Sequence, residues 1–450
     1  MNVRRNRLAA LVIATTVIIA AAVVMTQCQL FIQLTDCQQD GDCPSGRRCN
    51  LQRHLCQVPP VELCNGIDDN QNNVADVDEN FGPCVVPSMP GQRICRDGVY
   101  RCMDNQHITC VARQTPDPAE TCDNGQDDDC NGIVDDGAEC TQNFAATTSL
   151  TIGSNNPEDG EGDDAPAHQV CLDPFTIDRH EVTMESFAVF LSSFDQTNIE
   201  IGRPPTPLNS TVVYGRYVML VENGQRFPLM AVPNEASPLT FDQLAYAWAP
   251  HDLNSRHLPA VNVTWIGANR YCQWAGKHLP TEAEFFRVAR GPTGTRGFPW
   301  GTEAPTCDRA NIGRGGPDGG PCVGTPVEVD SLQAGATAEG VFNLYGNVNE
   351  WMYDYLDTNP SHTRNNYYAS LPADGGAWCT TYPHGPIGPT TGSAISQPED
   401  AGLYCVNCRF ARGRHYRTVD LRIGIRRWLD ADRGEPFVGF RCSQGGADRP

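Results

Sequence analysis

The chain has 450 residues, and 33 basic against 54 acidic side chains leave a formal net charge of −21. That length holds two or three domains. The acidic balance argues against a nucleic-acid partner, which would need clustered Lys and Arg.

Residues 1–30 read as a targeting segment. Arg4, Arg5 and Arg7 precede Leu8–Met25, an 18-residue run dominated by apolar side chains. The run is long for a signal peptide and just long enough to cross a bilayer. A cleaved signal, a retained anchor and a lipoprotein signal are all open. Cys28 stands where a lipid would be attached, although Gln27 before it departs from a bacterial lipobox. Each alternative exports the rest of the chain with positive charge left inside. The expected location is periplasmic, anchored to the cell envelope or secreted, with membrane association through this segment. In an exported chain the 21 cysteines read as a disulfide set. An odd number leaves at least one outside it, and Cys28 is the candidate.

Residues 31–145 read as small disulfide-rich modules. Cys37, Cys43, Cys49 and Cys56 are almost evenly spaced, and Cys84, Cys95, Cys102 and Cys110 form a second such group. Modules this short bury too little apolar surface to fold without cross-links. Two acidic segments lie between and after them. The first carries Asp68, Asn70, Asn72, Asp76 and Glu79, the second Asp127, Asp129, Asn131 and Asp135. Both place oxygen side chains at positions 1, 3, 5 and 9 of a calcium loop. Glu79 falls at position 12, where an EF-hand has its bidentate Glu, but position six there is Asn73. The second segment has Gly132 at position six and Ala138 at position 12. Neither is flanked by an obvious helix pair. The alternative is an acidic, disulfide-clipped linker; the repeated spacing favours metal, held weakly at about 10⁻⁴–10⁻³ M as in extracellular modules.

Residues 146–450 read as one larger domain. Asn143–Asp164 is polar and loop-like. Phe175–Arg179 alternates as a strand, and Glu181–Leu191 carries apolar residues at helical spacing from Phe187. Val261–Trp265 leads into a second helix running through Tyr271 and Trp274. Thr281 caps a third over Glu282–Arg290, with Glu284 completing a capping box. Beyond Arg290 helical periodicity fades, and Gly, Pro and aromatic residues dominate. Within this part, Gly340–Trp351 is dense in Gly and Asn, which suit tight turns. Asn343 and Glu350 offer side-chain oxygens, Gly346 and Val348 carbonyls. Oxygen ligands on an irregular loop suit a hard cation such as Ca²⁺; the alternative is a polar turn closed by a buried Trp351.

These blocks occur in a fixed order: Leu258–Trp265, Tyr271-Cys272, Trp274-Ala275-Gly276, Leu279–Phe285, Ala289-Arg290-Gly291, Phe298–Gly301, Gly340–Trp351, Arg412-Gly413, Tyr416, Leu421-Arg422 and Gly439–Cys442. Together they resemble the sulfatase-modifying factor family, which includes the formylglycine-generating enzyme. The likeness runs from about Leu150 to Cys442, broken by an insertion around Gln196–Leu244. The front segments resemble Cys/Asp metal-binding repeats of secreted bacterial proteins. The family resemblance implies an irregular α+β fold with little regular secondary structure and C-type-lectin-like topology. It also implies two structural calcium sites. One falls on Asn343, Gly346, Val348 and Glu350, the other on Asn311 and Ile312 with Asp318. Cys307 and Cys322 bracket this second loop and are placed for a disulfide.

The resemblance fails where the family's oxidases do their chemistry. Those enzymes hold copper on two cysteines between the Arg-Gly block and the terminal Gly-Phe-Arg. Here Gly413–Arg441 contains no cysteine, and the positions fall near Thr418 and Arg422–Ile423. Neither side chain type supplies the soft thiolate that selects Cu(I), so copper is not expected. Cys405 and Cys408, just upstream, read as disulfide cysteines rather than a displaced redox pair. The expected function is an exported calcium-binding protein that takes a peptide, glycan or small-molecule ligand. The rivals are a formylglycine-generating or related metal-dependent oxidase, and a structural surface protein. Seven arginines (Arg409, Arg412, Arg414, Arg417, Arg422, Arg426 and Arg427) stand together in an acidic chain. They read either as paired with the protein's own carboxylates or as a receiver for an anionic ligand.

Overall fold

The computed structural model describes residues 48–50, 55–57, 83–85, 97–104, 107–112, 117–131, 133–153, 167–203, 216–232, 239–242, 247–250, 252–314, 319–355, 395–396, 404–405, 408–419 and 426–446. Leu8–Met25, Cys28, Asp318, Arg422–Ile423 and the first acidic repeat, with Asp68, Asn70, Asn72, Asp76 and Glu79, lie outside them. The chain divides into two units, one of 1–79 with 102–108 and one of 80–101 with 109–450. In the first, Arg48–Asn50 pairs antiparallel with Leu55–Gln57, and Cys49 stands opposite Cys56 in the register. Among the described residues no helix is long and apolar enough to cross a membrane.

The second unit is an irregular α+β fold, as the sequence implies. Strands β1 (Thr141–Phe144), β2 (Thr147–Ile152), β3 (His168–Leu172) and β4 (Phe175–Asp178) come first. The stretch expected to be loop from Asn143 therefore contains half of β1 and all of β2. Leu150 and Ile152 alternate inward in β2 and are buried, a period-two signal hidden among threonines. Helix α1 (Met184–Ser192) starts three residues later than its periodicity suggests. The cause is Thr183, whose side chain accepts from Ser186 N as N-cap. Helix α2 (Trp265–Trp274) is capped the same way by Thr264. Helix α3 (Glu282–Arg290) carries the expected capping box between Thr281 and Glu284. No α-helix follows Arg290 among the described residues.

Between α1 and α2 the insertion folds as β5 (Ile199–Gly202), β6 (Arg216–Glu222), β7 (Gln225–Val232), β8 (Leu239–Asp242) and β9 (Ala247–Pro250). Strands β5, β6 and β7 form an antiparallel sheet. Asn223 and Gly224 join β6 to β7 at φ 50° and 76°, the two-residue hairpin turn that demands positive φ at both positions. After α3 come β10 (Asn349–Tyr355), β11 (Cys408–Arg412), β12 (Arg427–Asp430), β13 (Val438–Gly439) and β14 (Ser443–Gly445). The order β12-β11-β10-β13 makes a four-stranded sheet, parallel only between β10 and β13. Strands β14 and β1 flank β4 antiparallel, so the two ends of the domain meet on one strand.

Two apolar cores follow. One packs α1 and α2 with Leu229, Met230, Trp351 and Phe440. The other packs α3 with β2, β3 and β4, Leu344, Met352 and Phe410. Disulfides Cys122–Cys140, Cys272–Cys442 and Cys307–Cys322 tie the unit together, the last as the sequence anticipates.

Candidate metal and ligand sites

Gly340–Trp351 is held by a buried polar network that reaches across the whole domain. Asn343 and Asn347 sit at φ 55° and 60°, a conformation Asn tolerates better than most side chains. Gly346, at φ 95°, lies against Asn311, and a Cβ there would come within 2.7 Å of the Asn311 carbonyl. Glu350 opens β10 and is fully buried. Its Oε2 accepts from Arg441 Nε at 2.6 Å and its Oε1 from Arg441 Nη2 at 2.8 Å. The same guanidinium donates to the carbonyls of Asp178, Arg179 and Phe342. Glu181, just ahead of α1, enters from the other side. Its Oε2 accepts from Asn343 Nδ2 and its Oε1 from Asn347 Nδ2, each at 3.0 Å.

Two buried carboxylates thus share one guanidinium. Burial pushes the Glu181 carboxyl up to about 7 despite Arg441, and Glu350 adds to the rise. Glu350 is also raised, by burial, with Arg441 opposing. Burial therefore disfavours two bare carboxylates here and favours the protonated form of the pair. Sequence reasoning found Glu350 but missed Glu181 and Arg441. Their only signal was position, beside the strand-to-helix entry and in the Gly-Phe-Arg block.

Two of the predicted oxygen donors are buried without a hydrogen-bond partner. Asn343 Nδ2 also donates to Val329 O at 2.8 Å. Both acceptors require the nitrogen on that side, so the orientation of the amide is settled. Its Oδ1 is then buried with no hydrogen-bond partner. Asn311 repeats the pattern: Nδ2 donates to Thr325 O at 2.7 Å and Oδ1 is buried and unpartnered. The Asn311 carbonyl accepts from Asn347 N, and the Ile312 carbonyl from Cys322 N. Buried amide oxygens left open are what a missing ion or water explains. Hard oxygen donors of this kind fit Ca²⁺. The Glu350 carboxylate has both oxygens occupied by Arg441, and Val348 is buried beneath the same turn.

The second acidic repeat packs within the same unit as the large domain. Thr183 Oγ1 and Ser186 Oγ donate to Asp123 O, and His180 Nδ1 lies 2.8 Å from Asp123 Oδ2. Asp127 and Asp129 come together with Glu120, one carboxylate oxygen from each within 4.8 Å of the others. Asn131 N donates to both aspartates at 3.0 Å. Burial and the charges of Asp129, Asp128 and Asp127 push Glu120 up to about 7. Asp135 leaves this set. Its Oδ2 accepts from Gly125 N, and its side chain lines a separate one-water cavity with Asp178, His180 and Lys277. Lys277 Nζ donates to Asp135 O and Asp178 Oδ1, both at 2.8 Å. Glu120 was not among the predicted ligands, yet Glu62 occupies the matching place in the first repeat, which was the available signal.

The arginine cluster separates into two groups. Arg412 and Arg426 both bind the buried Glu282 carboxylate. Burial pushes Glu282 up, but the two guanidiniums hold it below the usual carboxylate range. Arg409 donates to Tyr353 O and lies 3.5 Å over the Trp265 ring. These three serve the protein's own structure. Arg414, Arg417 and Arg427 instead surround His415, which stacks on Phe437 at 4.5 Å. Burial and these three charges push His415 down to about 4, so it is neutral at pH 7. Cys408 is disulfide-bonded.

The comparisons with known proteins agree with this architecture. The family model for the sulfatase-modifying factor enzyme 1-like domain matches residues 137–445. The chain belongs to this family. It is 31% identical to a formylglycine-generating enzyme of Thermomonospora curvata over 64% of this chain and 86% of that protein. It is 29% identical to the formylglycine-generating enzyme of Streptomyces coelicolor over 65% of this chain and 84% of that protein. It is also 36% identical to a hercynine oxygenase of Mycolicibacterium thermoresistibile, over 41% of this chain and 35% of that protein. Among solved structures it is similar to PvdO from Pseudomonas aeruginosa, at 22% identity over 70% of this chain and 97% of that one, with a TM-score of 0.42.

Proposed function

We propose that this chain is an exported, calcium-holding member of the family that binds a peptide, glycan or small-molecule ligand instead of oxidising a cysteine. The observation that carries this reading is the absence of cysteine from Gly413–Arg441. Thr418, near the expected position, presents a hydroxyl, and the surrounding arginines repel a cation. The donor set does not fit copper, because Cu(I) is selected by soft sulfur. Calcium fits better at the two expected places, with Asn343 Oδ1 as a side-chain donor at one and Asn311 Oδ1 at the other, and turn carbonyls adding to each shell. Bound there, it would fix loops that have little regular structure of their own. The cluster of Glu120, Asp127 and Asp129 would take a further, weaker calcium. Export and membrane association rest on Leu8–Met25 behind three arginines.

The second reading, an oxidase, is supported by the names of the relatives. Two measurements separate them. Metal analysis of the purified protein is expected to find calcium without copper or iron. Incubation with Cu(I), oxygen and a cysteine peptide of the sulfatase type is expected to give no aldehyde by mass spectrometry. Turnover that disappears in Cys405→Ser or Cys408→Ser would make the oxidase the better reading.

A further inference from the structure

Three backbone segments run side by side at the surface next to His415. Gly313 N donates to Thr418 O at 2.9 Å, and Cys322 N donates to Ile312 O at 2.9 Å. Residues 312–313 therefore lie between 418 and 322. Gly313 is required for this approach, because a Cβ there would come within 2.4 Å of the Arg417 carbonyl. The arrangement sets Val419 and Val323 on either side of the central segment. They are 58% and 60% exposed, the two most exposed of the large apolar side chains among the described residues. Arg314 and Arg417, both exposed, flank them from the central and outer segments. The Arg417 guanidinium sits over the Tyr416 ring at 5.3 Å. Arg427 lies over the Phe437 ring at 4.5 Å, the ring on which His415 stacks. The Cys307–Cys322 disulfide and the stacked Phe298 and Trp300 rings support the inner segment.

We infer that this surface, Arg314, Arg417, Val323 and Val419 over the 312–313 segment, binds an acidic peptide whose carboxylates meet the arginines and whose apolar side chains cover the valines. The inference deepens the ligand-binding reading above and rests on it. The exposed valines offer apolar contacts to a bound chain, and guanidiniums beside them select carboxylates. Local positive charge in a chain of net charge −21 is what steers a negatively charged partner to one place on an otherwise repelling surface. His415 beside this surface is pushed down first by burial and then by Arg427, Arg414 and Arg417. A small inorganic anion would use the arginines and leave the valines bare. An extended peptide uses both, because its alternate side chains reach neighbouring segments.

The test uses the purified full chain and three labelled probes followed by fluorescence anisotropy: a Glu/Val peptide, its Gln/Val counterpart and a sulfated oligosaccharide. The Glu/Val peptide is expected to bind, and to weaken as salt rises past the range where the Debye length falls below about 10 Å. The Arg314→Glu, Arg417→Glu double variant should lose about tenfold or more in affinity. The Arg314→Lys, Arg417→Lys variant should keep salt-sensitive binding, and Val419→Ser should weaken it. All these positions are exposed, and melting temperatures equal to wild type confirm an intact fold. Equal binding by the charge-reversed variant overturns the inference. So does a preference for the Gln/Val peptide or the oligosaccharide, although either result leaves the ligand-binding reading standing. Binding of none of the three overturns both.

Discussion

Glu181 and Asn343, 162 residues apart, meet at 3.0 Å with the Asn343 amide nitrogen donating to Oε2 of the carboxylate. The contact aims the amide oxygen the other way, into the space where a cation would sit. Glu181→Gln replaces one acceptor oxygen with an NH₂ group. That group must oppose the NH₂ of Asn343 or Asn347, so one amide turns over. Groups that orient ligands typically contribute 10–100-fold to metal affinity. Glu181→Gln is expected to weaken calcium binding at this loop by about that factor, read by calorimetric titration. Adding it to Asn343→Ala should cause little further loss. Unchanged calcium affinity in Glu181→Gln would remove the residue from any part in metal holding.

Asn343→Ala and Glu350→Ala should differ in kind. Asn343→Ala removes an open oxygen donor, so its main effect should be loss of the melting shift between calcium and chelator, since binding to the native state adds to stability. Glu350→Ala strands the buried Arg441 guanidinium, which costs about 3–5 kcal/mol whether or not metal is present. Thermal melts of both variants with and without chelator check this. A wild-type melt that does not respond to chelator would make the loop an ordinary turn.

The pH dependence of stability in chelator has a definite sign. Burial raises the Glu181 carboxyl to about 7 in the folded protein from its ordinary 4.5. The folded state therefore keeps a proton that the unfolded state has released. Stability from this group is full below 4.5 and is lost as pH rises through 7. Glu181→Gln should flatten the fall between pH 5 and 8 in denaturant titrations, while wild type retains it. His415 acts oppositely: its contribution is lost as pH falls from 6.5 through about 4.

Glu282→Ala should be among the most damaging changes in the chain. It leaves Arg412 and Arg426 uncompensated in a buried site, an expected cost of about 3–5 kcal/mol. The backbone N of residue 282, which donates to Asp354 Oδ2, is kept in this variant. Denaturation of Glu282→Ala and Glu282→Gln measures this; a midpoint within error of wild type for both would remove the pair from the stability of the sheet.

Much of the fold was legible because its signals are local. The capping box of Thr281 and Glu284 spans four residues, and the helix begins where that box requires. The Cys307–Cys322 loop is short enough to be read as a bridge. The site was legible only in part. Asn343 and Glu350 lie in one dense motif, but Arg441 is 91 residues from Glu350 and Glu181 lies before the first helix. No local pattern can say which arginine closes on which carboxylate. Asp135 shows the converse. Asp135 stands at position nine of a calcium spacing, yet its Oδ2 accepts from Gly125 N and its backbone carbonyl from Lys277, 142 residues away. Β-strand alternation in Thr147–Ile152 was masked by threonines that tolerate either face.

The Cys272–Cys442 bridge closes a ring with a sequence separation of 170 residues. In the chain-entropy account a ring of that size adds about 5 kcal/mol, and lengthening it further costs only about 0.6 kcal/mol per doubling. Everything from α3 through the His415 surface lies inside that ring. Inside that ring, a longer surface loop would leave the covalent clasp and the shared strand β4 in place, whereas the buried Glu282 and Glu350 ion pairs lie in the same ring and tie its segments to one another.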